Sequence, residues 1–185
     1  MNFHELLLCE GNTLEKEKGE HVFMQGDSDK SLYFIQTGLL KAYYTSSSGK
    51  EAIKSFILPN DFIGSLSSIY AGQNCSFSLV SLETSMLVKI PFEKIVEYGK
   101  KDIVLANNII EFLMRLTLKK ERREHEFLCM SAEERYLALI ESTPILLKKI
   151  TQNDLARYLG MTPVGLSRIK KRVQSKMSKQ GENNP

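Results

Sequence analysis

Basic side chains that suit a polyanion gather near the end of this sequence of 185 residues. From Lys148 onward there are nine lysines and arginines against two acidic residues, a net charge of +7. The preceding residues carry a net charge of −4. A basic end on a mildly acidic body indicates a polyanion, such as nucleic acid, as the partner of that end. A solvated basic tail gives the same balance, so charge alone leaves both interpretations open.

Residues 151–169 place several of these charges in a pattern typical of a helix-turn-helix. Thr151 fits the N-cap of a first helix, and Gly160 suits the left-handed conformation that ends one. Thr162 is a second N-cap, and Pro163 is favourable as the first residue of the helix behind it. The apolar positions at helical spacing are Leu155, Ala156, Leu159, Leu166, Ile169 and Val173. The whole set predicts two packed helices joined by a tight turn.

The face of the second helix opposite Leu166 is the one that would enter a DNA major groove. On it, Arg168 suits bidentate contact to guanine and Val164 suits a thymine methyl group. Lys170 lies near the buried edge, where its long stem allows it to reach a phosphate. The predicted DNA-binding residues are Thr151, Gln152, Thr162, Pro163, Val164, Ser167, Arg168, Lys170, Lys171 and Arg172. The alternative is a pair of packed helices whose basic face is merely solvated.

Signatures of catalysis and of metal binding are missing from the sequence. The three histidines are His4, His21 and His125. His4 and His125 each precede a Glu, as in a zinc-protease motif, but Leu8 and Cys129 stand where its second histidine is needed. No Gly-rich phosphate loop with Lys-Ser/Thr and no G-x-S-x-G motif occurs. We therefore predict a protein that is not an enzyme and that has no metal and no cofactor.

The three cysteines, Cys9, Cys75 and Cys129, are far apart in the chain. They are too few for a disulfide framework or a four-thiolate cluster, so they fit a reducing compartment. The N-terminus has no basic start before its short apolar run at residues 6–8, which disfavours a signal peptide. No apolar run is long enough to cross a bilayer. The sequence therefore predicts a cytoplasmic protein without membrane contact.

Turn signals about ten residues apart, from Gly19 to Pro91, predict a compact antiparallel barrel or sandwich. Residues 1–18 have a polar, helical pattern in front of it. Pro91 opens a short amphipathic helix that is predicted to end at Gly99. The longest helical pattern follows, over residues 102–127, without Gly or Pro.

The long helix carries an apolar seam, formed by Ile103, Ala106, Ile110, Leu113 and Thr117. The seam has two possible partners, the chain's own barrel and a second copy of the chain. A helix of about 25 residues is about 37 Å long, which favours self-association in a chain of this size. Behind it, Ser131 and Glu134 form a capping-box pattern that predicts the start of another helix.

A small β-barrel, a long helix and a helix-turn-helix, in this order, resemble the CRP/FNR family of bacterial transcription regulators. The segments that carry the likeness, within residues 18–173, are Gly19-Glu20, Gln25-Gly26-Asp27, Leu32-Tyr33-Phe34-Ile35 before Gly38, Gly49-Lys50-Glu51, Asp61-Phe62-Ile63-Gly64 and Ser131 to Tyr136. The nearest likeness is to a short subgroup associated with Bacteroidetes, in which Ser-Leu-Ser-Ser stands in the cyclic-nucleotide cassette.

The resemblance implies an α+β fold in three parts. These are an antiparallel β-roll effector domain with an N-terminal helix over residues 1–98, a long dimerisation helix over 99–129, and a helix-turn-helix DNA-binding domain over 130–185. It implies a homodimer that binds double-stranded DNA at an inverted repeat, with half-sites about one DNA turn apart. It also implies RNA polymerase as a further candidate partner.

The β-roll departs from family members that bind cyclic AMP. Those members have a Glu directly after the cassette Gly and an Arg before a Ser, whereas this chain has Ser65 and Cys75, with Ser76 following. Losing two charged hydrogen-bonding partners weakens binding by a factor of about 10²–10⁴. We therefore expect that cyclic AMP is not the effector. The residues of a hypothetical effector pocket are Ile63, Gly64, Ser65, Leu66, Ser67, Cys75, Ser76 and Phe77; it either takes a less anionic ligand or is vestigial and filled by Phe77.

The recognition helix departs from familiar members as well. They begin it with an Arg-Glu pair, where this chain has Pro163 and Val164, and only Arg168 matches. The half-site best known for the family therefore does not carry over. The runner-up interpretation is a β-roll small-molecule sensor whose last helices dock a protein partner. DNA binding that weakens steeply with salt would distinguish the two.

Overall fold

The structure is a computed structural model that describes residues 3–181. It divides the chain into two compact units, the first ending at Lys120 and the second beginning at Glu121. The three-part division that sets the long helix apart stays a prediction. No helix of the described residues is long and apolar enough to cross a membrane.

The first unit is built on eight short strands that form two four-stranded antiparallel sheets. The strands are β1 (Asn12–Lys16), β2 (His21–Phe23), β3 (Ser31–Thr37), β4 (Leu40–Thr45), β5 (Glu51–Ile57), β6 (Phe62–Ile63), β7 (Ser78–Ser81) and β8 (Ser85–Pro91). The order is β1-β8-β3-β6 in one sheet and β2-β7-β4-β5 in the other. This architecture confirms the predicted antiparallel β-roll.

Alternating apolar residues of both sheets fill the interior of the roll. Ile35, Leu40 and Leu79 are fully buried there, and Phe23 packs edge-to-face on Phe77 with ring centroids 5.3 Å apart. Because alternate side chains of a strand point to opposite faces, β8 contributes side chains to two hydrophobic cores. Leu87 lies in the roll interior, whereas Val88 and Ile90 pack in a second core under the helices.

The prediction of one helical segment over residues 1–18 is wrong in its second half. Helix α1 (Phe3–Glu10) is present, but residues 12–16 form β1, which pairs with β8. Gly11 ends the helix by donating its N–H to the Leu7 carbonyl at 3.0 Å. A Cβ at Gly11 would lie 2.3 Å from Cγ1 of Val88, so only glycine allows the chain to turn here into the sheet.

Three more helices begin in the first unit: α2 (Leu66–Ile69), α3 (Phe92–Lys101) and α4 (Ile103–Cys129). Helix α3 does not end at Gly99 as predicted but runs two residues further. Gly99 does not end the helix; it allows α3 to pack closely against α4. A Cβ at Gly99 would lie 3.1 Å from Cδ1 of Ile109 in α4. Leu105 is fully buried against the roll, and Phe112 packs on Phe62 with ring centroids 5.1 Å apart.

The second unit contains the end of α4 and the four helices that follow it in the chain. These are α5 (Ala132–Ser142), α6 (Pro144–Lys149), α7 (Gln152–Tyr158) and α8 (Pro163–Gly181). The capping box at the start of α5 is confirmed. The Ser131 hydroxyl accepts from the Glu134 N–H, while the Glu134 carboxylate accepts from the Ser131 N–H at 2.7 Å. These hydrogen bonds hold the pKa of the Glu134 carboxyl below its usual range.

Candidate nucleic-acid interface and sensor domain

Helices α7 and α8 form the predicted helix-turn-helix, and each predicted cap is in place. The Thr151 hydroxyl accepts from the Asp154 N–H at 3.1 Å, and the Thr162 hydroxyl accepts from the Gly165 N–H at 3.1 Å. Between the helices Gly160 has a φ of +70°. The apolar faces pack as expected, with Leu155, Ala156, Leu159, Leu166, Ile169 and Val173 all buried.

The opposite face of this motif presents the predicted DNA-binding residues to solvent. Those that are exposed are Thr151, Gln152, Thr162, Pro163, Val164, Ser167, Arg168, Lys171 and Arg172, whereas Lys170 is partly buried. Val164, on the first turn of α8, is 63% exposed. Its methyl groups are therefore accessible to solvent.

A groove of about 310 Å³ runs along this face. It is lined by Gln152, Pro163, Ser167, Lys170, Lys171 and Gln174. Within it the Lys170 ammonium donates to the Gln152 amide oxygen at 3.0 Å, which orients both side chains. Sequence reasoning missed Gln174, although it lies one helical turn after Lys170 on the same face.

Arg172 differs from the other predicted DNA-binding residues because it already has a partner. Its guanidinium forms an ion pair with the Glu133 carboxylate of α5. A contact between Arg172 and DNA would require this ion pair to open. Arg168 has no such partner among the described residues, and its side chain lies free on the exposed face.

Two arginines that the sequence analysis did not identify donate hydrogen bonds to backbone carbonyls beside the turn of the helix-turn-helix. Arg135 donates to the Met130 carbonyl at 2.7 Å and to the Leu159 carbonyl at 3.2 Å. Arg123 donates to the Tyr158 carbonyl, and its guanidinium lies 3.8 Å from the centroid of the Tyr158 ring. Guanidinium groups satisfy the carbonyls at the end of α7 that helix geometry leaves unpaired.

The cassette residues of the β-roll are held by local contacts. Ser65 is buried, and its hydroxyl accepts from the Ser76 N–H at 3.1 Å. The Cys75 thiol is buried and points at the Asp29 carbonyl, 3.7 Å away. Of the eight predicted pocket residues, those that are buried are Ile63, Ser65, Cys75 and Phe77; those partly buried are Gly64 and Ser67; those exposed are Leu66 and Ser76. Phe77, 2% exposed, belongs to the core of the roll, and both interpretations of the pocket stay predictions.

Lys54 of β5 is an unusual residue that sequence reasoning missed. Its ammonium lies 4.6 Å from the centroid of the Phe77 ring. Burial, and to a smaller extent the nearby charge of Lys120, lowers the pKa of Lys54 to about 8. Nothing in the sequence around Lys54 distinguishes it from a solvated lysine, because its surroundings come from distant segments.

Most of the apolar seam of α4 is exposed to solvent in the single chain. Ile103, Ile110, Leu113 and Thr117 are exposed, and Ala106 is partly buried. Ile103 and Ile110 are 74% and 59% exposed. The opposite side of the helix, including Leu105, contacts the roll.

None of the described residues provides a metal cluster: no three or more His, Cys, Asp or Glu side chains come together. Cys9 and Cys129 are exposed free thiols, and Cys75 is a buried one.

Comparison with known proteins agrees with these features. The family model for the cyclic nucleotide-binding domain matches residues 13–102. The fumarate and nitrate reduction regulatory protein of Salmonella typhi is 32% identical over 94% of this chain and 74% of that protein. The anaerobic regulatory protein of Haemophilus influenzae is 34% identical over 85% of this chain and 65% of that protein.

The chain belongs to the CRP/FNR family of transcription regulators. This CRP/FNR protein is thus a DNA-binding regulator with a β-roll sensor domain, and not an enzyme. Its fold matches solved structures at lower identity. FixK2 from Bradyrhizobium japonicum superposes with a TM-score of 0.73 over 90% of this chain and 85% of that chain, at 16% identity.

Proposed function

We propose that this CRP/FNR regulator binds an inverted repeat in double-stranded DNA as a homodimer, with α8 of each copy in a major groove. The observation that carries the proposal is the exposed row of Val164, Ser167, Arg168 and Lys171 along α8. These side chains lie on the face away from the buried Leu166, and Ser167 and Lys171 line the groove together with Lys170 and Gln152. The exposed Arg168, which has no ion-pair partner among residues 3–181, supports guanine recognition, and the exposed Val164 supports thymine-methyl contact.

The other residues of this face serve to position the DNA. Lys170, held by Gln152, and Lys171 present ammonium groups at the groove, where phosphate contacts fix the register of the protein on the duplex. Thr151 and Thr162 cap the two helices, and both residues are exposed. Arg172 contributes only if its ion pair with Glu133 opens.

Dimerisation through α4 would allow the two recognition helices to bind the two half-sites of an inverted repeat. The exposed apolar seam of Ile103, Ile110 and Leu113 needs a cover that its own roll does not supply. A second copy of α4, related by a twofold axis, covers it with the same residues. Two recognition helices related by that axis match a DNA sequence that is itself an inverted repeat.

Cyclic AMP is not the effector in this proposal. The two cassette positions that would hold its ribose and phosphate carry Ser65, whose hydroxyl is engaged by Ser76, and Cys75, which is buried. Neither supplies a charged hydrogen bond. A regulator of this kind would act in the cytoplasm, with RNA polymerase as its further candidate partner.

The experiment that tests the proposal begins with selection of bound duplexes from random DNA by the full-length protein. Affinity for the selected duplex is then measured by fluorescence anisotropy at two salt concentrations. We expect an inverted repeat, and we expect Arg168→Ala to weaken binding by about 1–3 kcal/mol and to relax the preference at one base pair of each half-site. Affinity should fall steeply with salt, because phosphate contacts release counterions.

Lys148→Ala is the matched control, because it removes one exposed positive charge outside α7 and α8. It should change affinity little and leave the base preference intact. Binding without sequence preference, or an equal effect of Arg168→Ala and Lys148→Ala, would contradict the proposal. Salt-insensitive binding of a protein in place of DNA would favour the runner-up interpretation.

A further inference from the structure

The exposed side of α4 carries a row of apolar side chains that contains one amide. The members of this row, which we call the α4 row, are Ile103, Asn107, Ile110, Met114 and Thr117, and all of them are exposed. Ile103, Ile110 and Met114 are 74%, 59% and 57% exposed. Asn107 is not part of the seam predicted from the sequence, although it lies one turn from both isoleucines on the same side of the helix.

The spacing within the α4 row alternates between four and three residues, as the a and d positions of a heptad do. The d positions are Ile103, Ile110 and Thr117, and the a positions are Asn107 and Met114. Leu105 and Phe112 then occupy f positions, on the opposite side of the helix. Leu105 is fully buried, and Phe112 packs on Phe62 of the roll. The roll therefore covers the side of α4 that a two-stranded coiled coil leaves outside, and the α4 row remains open to a second helix.

A second copy of α4 is the partner that suits this row. Regulators of the CRP/FNR family are generally dimeric. No charged side chain belongs to the α4 row, and the charged residues beside it, Glu111 and Arg115, form an ion pair with each other. Such depletion of charge is typical of the core of a protein interface.

The amide of Asn107 is what a second copy can match. Among residues 3–181 it has no hydrogen-bond partner. An amide side chain both donates and accepts hydrogen bonds. An identical amide therefore satisfies it when the α4 row becomes buried, whereas an apolar partner would leave it unpaired.

We propose that Asn107 pairs with Asn107 of a second copy across the twofold axis and thereby sets the parallel orientation and the register of the dimer. The inference rests on the proposed function, since it specifies how the two copies of α4 meet. In a parallel pair in register an a position faces the same a position, so each amide meets the other. Antiparallel and shifted pairs put the amide opposite other members of the row, most of them apolar, where burial without a hydrogen bond costs free energy.

The orientation of the two copies decides whether both recognition helices can reach one inverted repeat. In a parallel pair the two α4 helices end on the same side of the dimer, and a helix-turn-helix follows each end in the chain. In an antiparallel pair the two motifs follow opposite ends of helices about 40 Å long. Asn107 thus favours, at a cost in dimer stability, the arrangement that an inverted repeat requires.

Disulfide cross-linking of the full-length protein measures this orientation. The exposed thiols are first removed by Cys9→Ser and Cys129→Ser. Ile103→Cys and Thr117→Cys are then introduced one at a time, two heptads apart. An antiparallel pair can bring at most one of these positions against its own copy, so cross-linking by both variants reports a parallel pair in register. We expect both to form disulfide-linked dimers under mild oxidation.

Asn107→Leu in these two cysteine variants tests the role of the amide. It should tighten association at least about tenfold in sedimentation equilibrium under reducing conditions, because a leucine is buried in place of an amide. It should nevertheless lower the cross-linked fraction, because antiparallel and shifted pairs no longer leave an amide unpaired. Asn107→Asp, which keeps the size but adds a charge, should weaken association at least about tenfold at pH 7.

Asn108→Leu is the matched control, because it makes the same change at the neighbouring residue, which lies outside the α4 row and is partly buried. Its association and its cross-linking should equal those of the wild type. Cross-linking that Asn107→Leu leaves unchanged, or that Asn108→Leu lowers equally, would overturn the proposal. If circular dichroism shows that Asn107→Leu does not fold, Asn107→Asp decides, and a dissociation constant equal to that of the wild type overturns the proposal.

Binding to the selected duplex, measured in parallel, keeps this test apart from that of the proposed function. A dimer that binds an inverted repeat, but whose cross-linking is independent of Asn107, overturns the role of Asn107 alone. A dimer whose orientation depends on Asn107, but that shows no preference for any DNA sequence, overturns the proposed function and upholds the inference. A wild type that stays monomeric overturns both the inference and the dimer of the proposed function.

Discussion

At the scale of single residues, Lys54 costs the folded protein stability. Its pKa falls from the ordinary 10.5 to about 8 because the ammonium is withdrawn from water. A shift of this size corresponds to at most about 3 kcal/mol, and the remaining solvent contact reduces it. We therefore expect Lys54→Met to stabilise the protein at pH 7 by about 1–3 kcal/mol.

The stability that Lys54→Met gains over the wild type should decrease as pH rises. Below about pH 8 Lys54 is protonated in both the folded and the unfolded chain, so the wild type carries the whole penalty. Between about pH 8 and 10.5 the unfolded chain keeps a proton that the folded chain has lost, and the penalty fades as pH rises. Urea unfolding of both proteins at about pH 7 and pH 10 measures this difference.

The matched control for this prediction is Lys50→Met, in the exposed turn before β5. Its difference from the wild type should not change between the two pH values. A difference for Lys54→Met that is also constant with pH would show that its charge is not withdrawn from water.

The exposure of residues on a regular helix could be predicted from the sequence, whereas the environment of Lys54 could not. Arg168 and Val164 are exposed because the helical period and the apolar positions around Leu166 determine which side faces outward. The position of Lys54 depends on a bulge in the pairing of β5 with β4, and on the ring of Phe77, which is distant in sequence. Local pattern contains no information about such contacts.

At the scale of elements, the turn between α7 and α8 depends on Gly160. Its φ of +70° disfavours any other residue, and a Cβ there would lie 2.8 Å from Cε1 of Phe127. Gly160→Ala should therefore destabilise the second unit by about 2–4 kcal/mol, the sum of backbone strain and steric overlap. Thermal unfolding followed by circular dichroism measures this loss.

Gly49→Ala separates the two causes. Gly49 has a φ of +77°, but an added Cβ would meet no atom within 4 Å, so this variant carries the backbone strain without the overlap. It should cost only about 1 kcal/mol. Equal losses for the two variants would mean that Phe127 moves aside freely.

The sequence identified elements well where capping residues mark their ends and poorly where tertiary pairing decides. The Ser131 capping box and the caps of α7 and α8 are short-range features, and all were found. Residues 12–16 became a strand only because β8 offers an edge to pair with, more than 60 residues further along the chain. The carbonyl contacts of Arg123 and Arg135 likewise depend on where α4 and α5 meet the end of α7.

At the scale of the whole molecule, the seam of α4 determines whether two copies associate. Ile110 lies at the centre of the exposed apolar row, and a symmetric interface would contain it twice. Ile110→Glu places two carboxylates in that interface and should weaken dimerisation by about 3 kcal/mol or more. Sedimentation equilibrium measures the dimer dissociation constant, and affinity for an inverted repeat should fall with it.

Arg115→Gln serves as control, since Arg115 forms an exposed ion pair with Glu111 on the same helix. Its dimer should be as stable as that of the wild type to within about 1 kcal/mol. A monomeric wild type, or a dimer indifferent to Ile110→Glu, would require a different cover for the seam. The sequence predicted the seam from spacing, but only the structure shows that the roll takes the side with Leu105 and leaves Ile110 open.

The bulge at Lys54 has an evolutionary consequence. A lysine that destabilises its own fold is not retained by selection for folding, and ordinary mutation would replace it with a methionine or a leucine that packs better on Phe77. Related chains in which β5 lacks the extra residue should therefore carry an apolar residue in place of this lysine. The β-rolls of such chains should be more heat-resistant than this one.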